Sequence, residues 1–275
     1  MNTFRYTPEK IVEEKLYFSI PLYQRLFSWG EEQVTGLLYD LKNHFEPSHD
    51  DGTPYYLGML SCIKSGNHYD LIDGQQRFTV MTLVAIVLRH YYKEWINFLD
   101  DGKRLRFISR TKDNEYLAAV INGQAEVIDP NRKMEEGKQV ISDFMVSQFS
   151  TEYQREAFAK SVYCRMSFFF SELPASYANN PASLNKYFEA MNAGGKGLEQ
   201  HEILKVRLMQ GEDNKEHLTR IWNAVCDLNC PIIKRYEKEL EEDYRSKYKH
   251  AIGLCRNHKY EEAFELCESS YDSED

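Results

Sequence analysis

Five consecutive residues, Asp73-Gly74-Gln75-Gln76-Arg77, gather the groups that phosphate chemistry uses. A carboxylate can hold a divalent cation or accept a proton, and a guanidinium offers a fork of donors matched to phosphate oxygens. Amides can orient a water, a base or a ribose. Gly74 among them lets the backbone turn sharply and come close to a ligand. The run lies between the apolar pair Leu71-Ile72 and the apolar stretch that opens at Phe78. Strand, glycine turn and helix is the expected local order, with the first helical N–H groups and the positive dipole end favouring an anion. Arg77 opposes that dipole, so a ligand or a carboxylate must compensate it. The plainer alternative is that Asp73 caps the helix and bridges Arg77. That explains Asp73 but not the polar run behind it.

Two further clusters could join this turn. In Ile20-Pro21-Leu22-Tyr23-Gln24-Arg25 the proline forces an extended entry and cannot continue a central strand. Tyr23-Gln24-Arg25 is therefore expected in a structured loop, where Gln24 and Arg25 either reach the first site or face solvent. The third cluster runs from Asn192 to Gly197. Its Gly-Gly-Lys-Gly is not a P-loop, because a helix precedes it and Gly197 follows Lys196 where Ser or Thr is needed. Read locally it is a helix stop with a glycine cap, from which Asn192 and the later Lys205 could still face a ligand.

The elements that must position these groups are partly readable. Ser28 followed by Glu31 has the form of a capping box, opening a helix with Val34, Leu37, Leu38, Leu41 and Phe45 on one face. Tyr55–Ile63 and His68–Ile72 read as a hairpin that delivers its second strand into Asp73. Phe78–Tyr92 is apolar nearly all round, as a buried central helix is. Leu105–Ser109 is expected as a strand, Asn114–Ile121 as a helix and Val162–Phe170 as a buried strand. From residue 181 onward the pattern is helical, closing on an acidic tail. The fold class is α+β, a small sheet followed by a mostly helical region. The expected divisions are 1–100, carrying the turn, 101–210, completing the site, and 211–275.

Other chemistries are disfavoured. The net charge of −9 argues against a protein that coats DNA, although not against a local basic groove. No stretch approaches the ~20 apolar residues of a membrane helix, and the first residues lack a signal-peptide apolar region, so the cytoplasm is expected. The six cysteines, Cys62, Cys164, Cys226, Cys230, Cys255 and Cys267, show no paired zinc spacing and read as reduced core residues. The eight histidines show no metal spacing, and no nucleophile elbow exists.

Taken in order, Ile20-Pro21-x-Tyr23-Gln24-Arg25-x-Phe27-x-Trp29, Asp73-Gly74-Gln75-Gln76-Arg77-x-Thr79 and Phe188-x-x-x-Asn192-x-x-Gly195-x-x-Leu198 with Glu202-Ile203-Leu204-Lys205 resemble a known family. It is the N-terminal domain family of GmrSD-type, modification-dependent (type IV) restriction enzymes, and the resemblance covers roughly residues 10–210. It implies a ParB/sulfiredoxin-like core that binds and hydrolyses nucleoside triphosphate with Mg²⁺, coupled to cleavage of DNA, modified DNA in particular. It implies Asp73, Gln75, Gln76 and Arg77 as catalytic candidates, with Asp73 also the magnesium ligand. Tyr23, Gln24, Arg25, Gly74, Thr79, Asn192, Gly195 and Lys205 would bind the nucleotide. Gly194 stands where relatives often carry Arg or Thr, and Val80 where a second Thr is frequent. Residues 211–275 hold no histidine-rich nuclease motif. The chain is thus expected to be a truncated N-terminal region or a stand-alone module, with cutting by another domain or a partner chain and with oligomers allowed. A non-enzymatic DNA sensor using the same turn is the alternative, and direct metal-dependent nicking a weaker one.

Overall fold

The apolar run beginning at Phe78 has no side fit for water, and in the computed structural model it becomes the central helix. The described residues are 5–21, 24–48, 51–124, 132–177 and 187. All lie in the first of two units into which the chain divides, residues 1–216 and 217–275. In chain order the elements are β1 (Arg5–Tyr6), α1 (Pro8–Glu13), β2 (Phe18–Ile20), α2 (Glu31–His44), β3 (Tyr55–Ser65), β4 (His68–Asp73) and α3 (Gln75–Leu88). Then follow α4 (Glu94–Leu99), β5 (Leu105–Phe107), α5 (Thr111–Ile121), α6 (Arg132–Gln148), α7 (Glu152–Arg165) and β6 (Met166–Leu173). The class is α+β, as expected.

The strands form one mixed sheet in the order β1-β6-β3-β4-β2-β5. The hairpin β3–β4 is antiparallel, while β2 runs parallel to both β4 and β5, and β3 parallel to β6. Parallel neighbours need crossover connections, and here helices supply them. The short strand β2 pairs with β4 only through Phe18 and Ser19, so β4 beyond Asp70 loses its neighbour on that side. That gap shapes the site.

Every residue of α3 except Arg77 is buried. The ring of Phe78 lies 4.4 Å from that of Phe18 and 6.1 Å from those of Phe98 and Phe168, tying the helix to β2, α4 and β6. Each Leu, Ile, Val or Phe so buried contributes roughly 1.5–3 kcal/mol. The helix is a rigid support for whatever its first turn presents. A buried arginine closes the other end of the core. Arg104 donates to the carbonyls of Phe98 (2.8 Å), Leu16 (2.5 Å) and Asn97 (3.2 Å) and stacks over Tyr17.

Two local expectations change. Residues 162–165 belong to the end of α7, and the strand starts at Met166. The helix after the first cluster begins at Glu31, with Gln33 Oε1 accepting from the Gly30 N–H at 2.8 Å. Ser28 does not cap it, because its backbone N–H and hydroxyl are turned to Gln76. Among the described residues no helix is long and apolar enough to cross a membrane. Cys62 is fully buried, and burial, with the charges of Asp70, Glu172 and Asp73, pushes its thiol far up, so it is an inert core residue. The four cysteines beyond residue 178 lie outside the described residues.

Candidate functional site

The turn is built as its residue types require. β4 carries one extra residue near its end, because Ser61 pairs with Asp73 but Cys62 with Leu71. Such bulges bend a strand and end its pairing, often next to active sites. Gly74 then takes a left-handed conformation, φ +91° and ψ 8°, as the residue before α3. Its carbonyl accepts the first helical bond, from the Phe78 N–H at 2.9 Å, and no side chain caps the helix. Among the described residues the N–H groups of Gln75, Gln76 and Arg77 meet no acceptor, the pattern of a helix start that can receive an anion.

Arg77 is the one residue of α3 that escapes burial, and it does so at this opening. Its Nη2 donates to Asp73 Oδ2 at 3.0 Å, with the two side chains 27% and 40% exposed. The carboxylate compensates the guanidinium at the positive end of the helix, and both remain within reach of solvent. Asp73 bridges Arg77 but does not cap α3. Beneath the guanidinium lies Gly58, at φ +127° where β3 shifts register against β6. A Cβ there would collide with Arg77 Nη1 and lie 3.1 Å from its Cζ. Gly58 was not singled out from the sequence, although an isolated glycine inside a strand pattern is a signal of a bulge or close approach. Gly58→Ala is expected to displace the guanidinium and cut any activity that depends on Arg77 by about tenfold or more. Turnover measured beside a thermal melt separates this from unfolding.

The first cluster meets the turn through buried amides. Gln24 is 5% exposed, and its Nε2 donates to the carbonyls of Ile72 (2.7 Å) and Leu71 (3.3 Å). These belong to the edge of β4 that β2 leaves unpaired, so the side chain completes the sheet. Gln76, 6% exposed, accepts the Ser28 N–H (2.8 Å) on its Oε1 and donates to the Leu26 carbonyl (2.8 Å) through its Nε2. Two of the three glutamines expected to touch ligand or water are thus committed to holding the loop against the turn. Removing the Gln76 amide loses two hydrogen bonds to loop residues that are themselves exposed, Ser28 and Leu26, each worth about 0.5–1.5 kcal/mol net. Gln76→Ala is expected to lower stability by about 1–3 kcal/mol on that basis, read from urea unfolding.

Other residues divide clearly. Arg25 is exposed on this loop. Gln75 is 5% exposed, and its side-chain amide makes no hydrogen bond among the described residues. Thr79 is 1% exposed, its hydroxyl shut inside the core without a partner among the described residues. Tyr187, five residues before Asn192, hydrogen-bonds Ser61, the residue paired with Asp73. Burial raises its phenol, and the Asp73 charge adds to the rise. Tyr23, Asn192, Gly195 and Lys205 lie outside the described residues.

Asp73 is the carboxylate at the turn that could meet a metal. Among the described residues there is no group of three or more His, Cys, Asp or Glu able to hold one. One carboxylate suits a magnesium ion that arrives with phosphates and keeps much of its water, as this ion usually does. The turn thus presents a solvent-accessible guanidinium at the start of a helix, with a carboxylate beside it that could meet a cation.

Residues 8–209 match the protein family described as the GmrSD restriction endonuclease, N-terminal domain. Comparison with curated proteins finds no match.

Proposed function

The chain belongs to the GmrSD restriction endonuclease N-terminal domain family, and from that premise we propose that it is the nucleotide-binding, NTP-hydrolysing module of a modification-dependent DNA restriction and phage-defence system. One observation carries the nucleotide reading. The only α3 residue left unburied is an arginine, and it stands at the uncapped start of that helix, where a phosphate would gain most. The strand–glycine–helix site on a small mixed sheet is also what supports reading the core as ParB/sulfiredoxin-like.

In this reading Arg77 and the N–H groups of Gln75, Gln76 and Arg77 hold the phosphates. Asp73 orients Arg77 through their ion pair and is the residue that would hold Mg²⁺. When bound, the ion neutralises charge on the phosphate oxygens. Gln75, whose amide makes no hydrogen bond among the described residues, orients the attacking water, whose oxygen bonds to the terminal phosphorus as the bridging oxygen leaves with the nucleoside diphosphate. Arg25 closes the site from the loop that Gln24 and Gln76 hold. Thr79 supports the turn from behind. Gly74 brings the backbone near, and Tyr23, Asn192, Gly195 and Lys205 complete the nucleotide pocket. Positioning and electrostatic stabilisation supply most of the acceleration in such phosphoryl transfer. Cutting of DNA, modified DNA in particular, falls to a nuclease domain or partner chain, in the cytoplasm.

A phosphate-release screen over the four NTPs, with and without modified DNA, tests the reading. Release with at least one NTP is expected, abolished by chelation of Mg²⁺ and restored by its return, with circular dichroism unchanged throughout. Salt-dependent DNA binding with no turnover and no affinity for any NTP would replace this reading with the DNA-sensor one.

A further inference from the structure

The loop that carries Arg25 is gripped from a third direction, by a residue outside all three clusters. The buried guanidinium of Arg110 donates through Nη2 to the Gln24 carbonyl and through Nη1 to the Arg25 carbonyl at 3.4 Å. Asp113, one turn along α5 and also buried, faces the same Nη1 at 3.8 Å. The approach to Arg110 is strained. Ser109, immediately before it, is a non-glycine residue at φ +55°. Strain of this kind persists only where the surroundings over-determine it, and such sites cluster at functional devices.

Stability alone is a poor reason for this arrangement. A buried ion pair costs desolvation on both sides and is often no better than apolar residues of the same volume. Here the pair is not close, and Arg110 Nε has no hydrogen-bond partner among the described residues. What the guanidinium does well is hold two successive carbonyls in one fork, a geometry a single ammonium cannot reproduce. Those two carbonyls flank the backbone of Arg25, whose side chain stands exposed. Gln24 and Gln76 fix the loop to β4 and α3 on either side of it.

We propose that Arg110, held by Asp113, is a positioning residue that sets where Arg25 stands relative to the Asp73–Arg77 turn. This rests on the nucleotide reading for its consequence in turnover, but not for its structural content. Arg110 touches no ligand and acts only through the Arg25 backbone.

Two measurements test it. Trypsin cuts after arginine, so appearance of the 1–25 fragment under native conditions reports how often the loop opens. R110K keeps the charge and loses the fork, and cutting at Arg25 is expected to rise about tenfold while cutting elsewhere in the chain stays the same. In turnover, R25A, R110K and the double variant are compared. R110K is expected to lose up to about 100-fold, and R25A/R110K to be no slower than R25A alone, because one variant acts through the other. An unchanged cutting rate at Arg25, or losses that multiply in the double variant, would overturn the proposal. If the wild-type chain hydrolyses no nucleotide, the functional reading fails and the proteolysis arm still decides this one. Should R110K not fold, the charge-neutral R110Q/D113N chain replaces it with the same expectations.

Discussion

Arg77→Ala is expected to reduce nucleotide hydrolysis by at least about 1000-fold, in line with the weight single arginines carry in phosphoryl transfer, and to leave the fold intact. The two halves of that result come from different facts. Arg77 is the single unburied residue of α3, and its partner Asp73 is 40% exposed, so their ion pair adds little to stability. The same exposure, at the uncapped start of a helix, is what makes the guanidinium available to phosphate oxygens. Arg77→Lys keeps the charge without the fork and should recover only part of the rate. Asp73→Ala should behave differently. It frees the guanidinium, so affinity for nucleotide survives while turnover falls. Phosphate release and a denaturation curve on each variant provide the check, and turnover within tenfold of wild type in a folded Arg77→Ala chain would contradict it.

Gly74→Ala should act in the opposite sense, destabilising the fold before it touches chemistry. The residue sits at φ +91°, where an L side chain costs roughly 1–2 kcal/mol. A Cβ would also lie 2.6 Å from Leu60 Cδ2 and 2.8 Å from the Met59 carbonyl oxygen. Leu60 is fully buried and the carbonyl belongs to the backbone of β3, so neither can retreat without moving the sheet. Overpacking of this kind adds a further 1–3 kcal/mol or so. A total of about 2–5 kcal/mol is a large share of the ~5–15 kcal/mol that holds a domain together. Urea unfolding should show it as a lower midpoint at unchanged slope. A loss below about 1 kcal/mol would mean that the turn relaxes more easily than its packing implies.

The contrast shows which parts of the site sequence could reveal. The β3–β4 hairpin, the glycine turn and the buried helix follow from local pattern: alternation, a turn signal and an unbroken apolar run. The ion pair of Asp73 with Arg77 was one of the two readings open from residue types alone, and it holds at 3.0 Å without excluding a ligand. The work of Gln24 and Gln76 was not legible, because an amide suited to water or ribose is equally suited to carbonyls 47–50 residues away. Ser28 was misread for the same reason, since a distant glutamine outcompeted the local capping box. Gly58 and Arg110 matter only through long-range contacts, under Arg77 and around Arg25, and Arg110 lies in the stretch with the weakest periodicity. The start of β6 was placed too early because Val162-Tyr163 is apolar and β-prone, whereas α7 buries both on a helical face.

The most direct test is a calorimetric titration of the wild-type chain and of Arg77→Ala with non-hydrolysable triphosphate analogues in Mg²⁺. The expected result is one saturable site in the wild type that Arg77→Ala weakens by about 100-fold or more, the loss of a charge-assisted contact of some 3 kcal/mol. Equal binding by the two chains, or no binding of any analogue by the wild type, would contradict the assignment of the Asp73–Arg77 turn as the phosphate site.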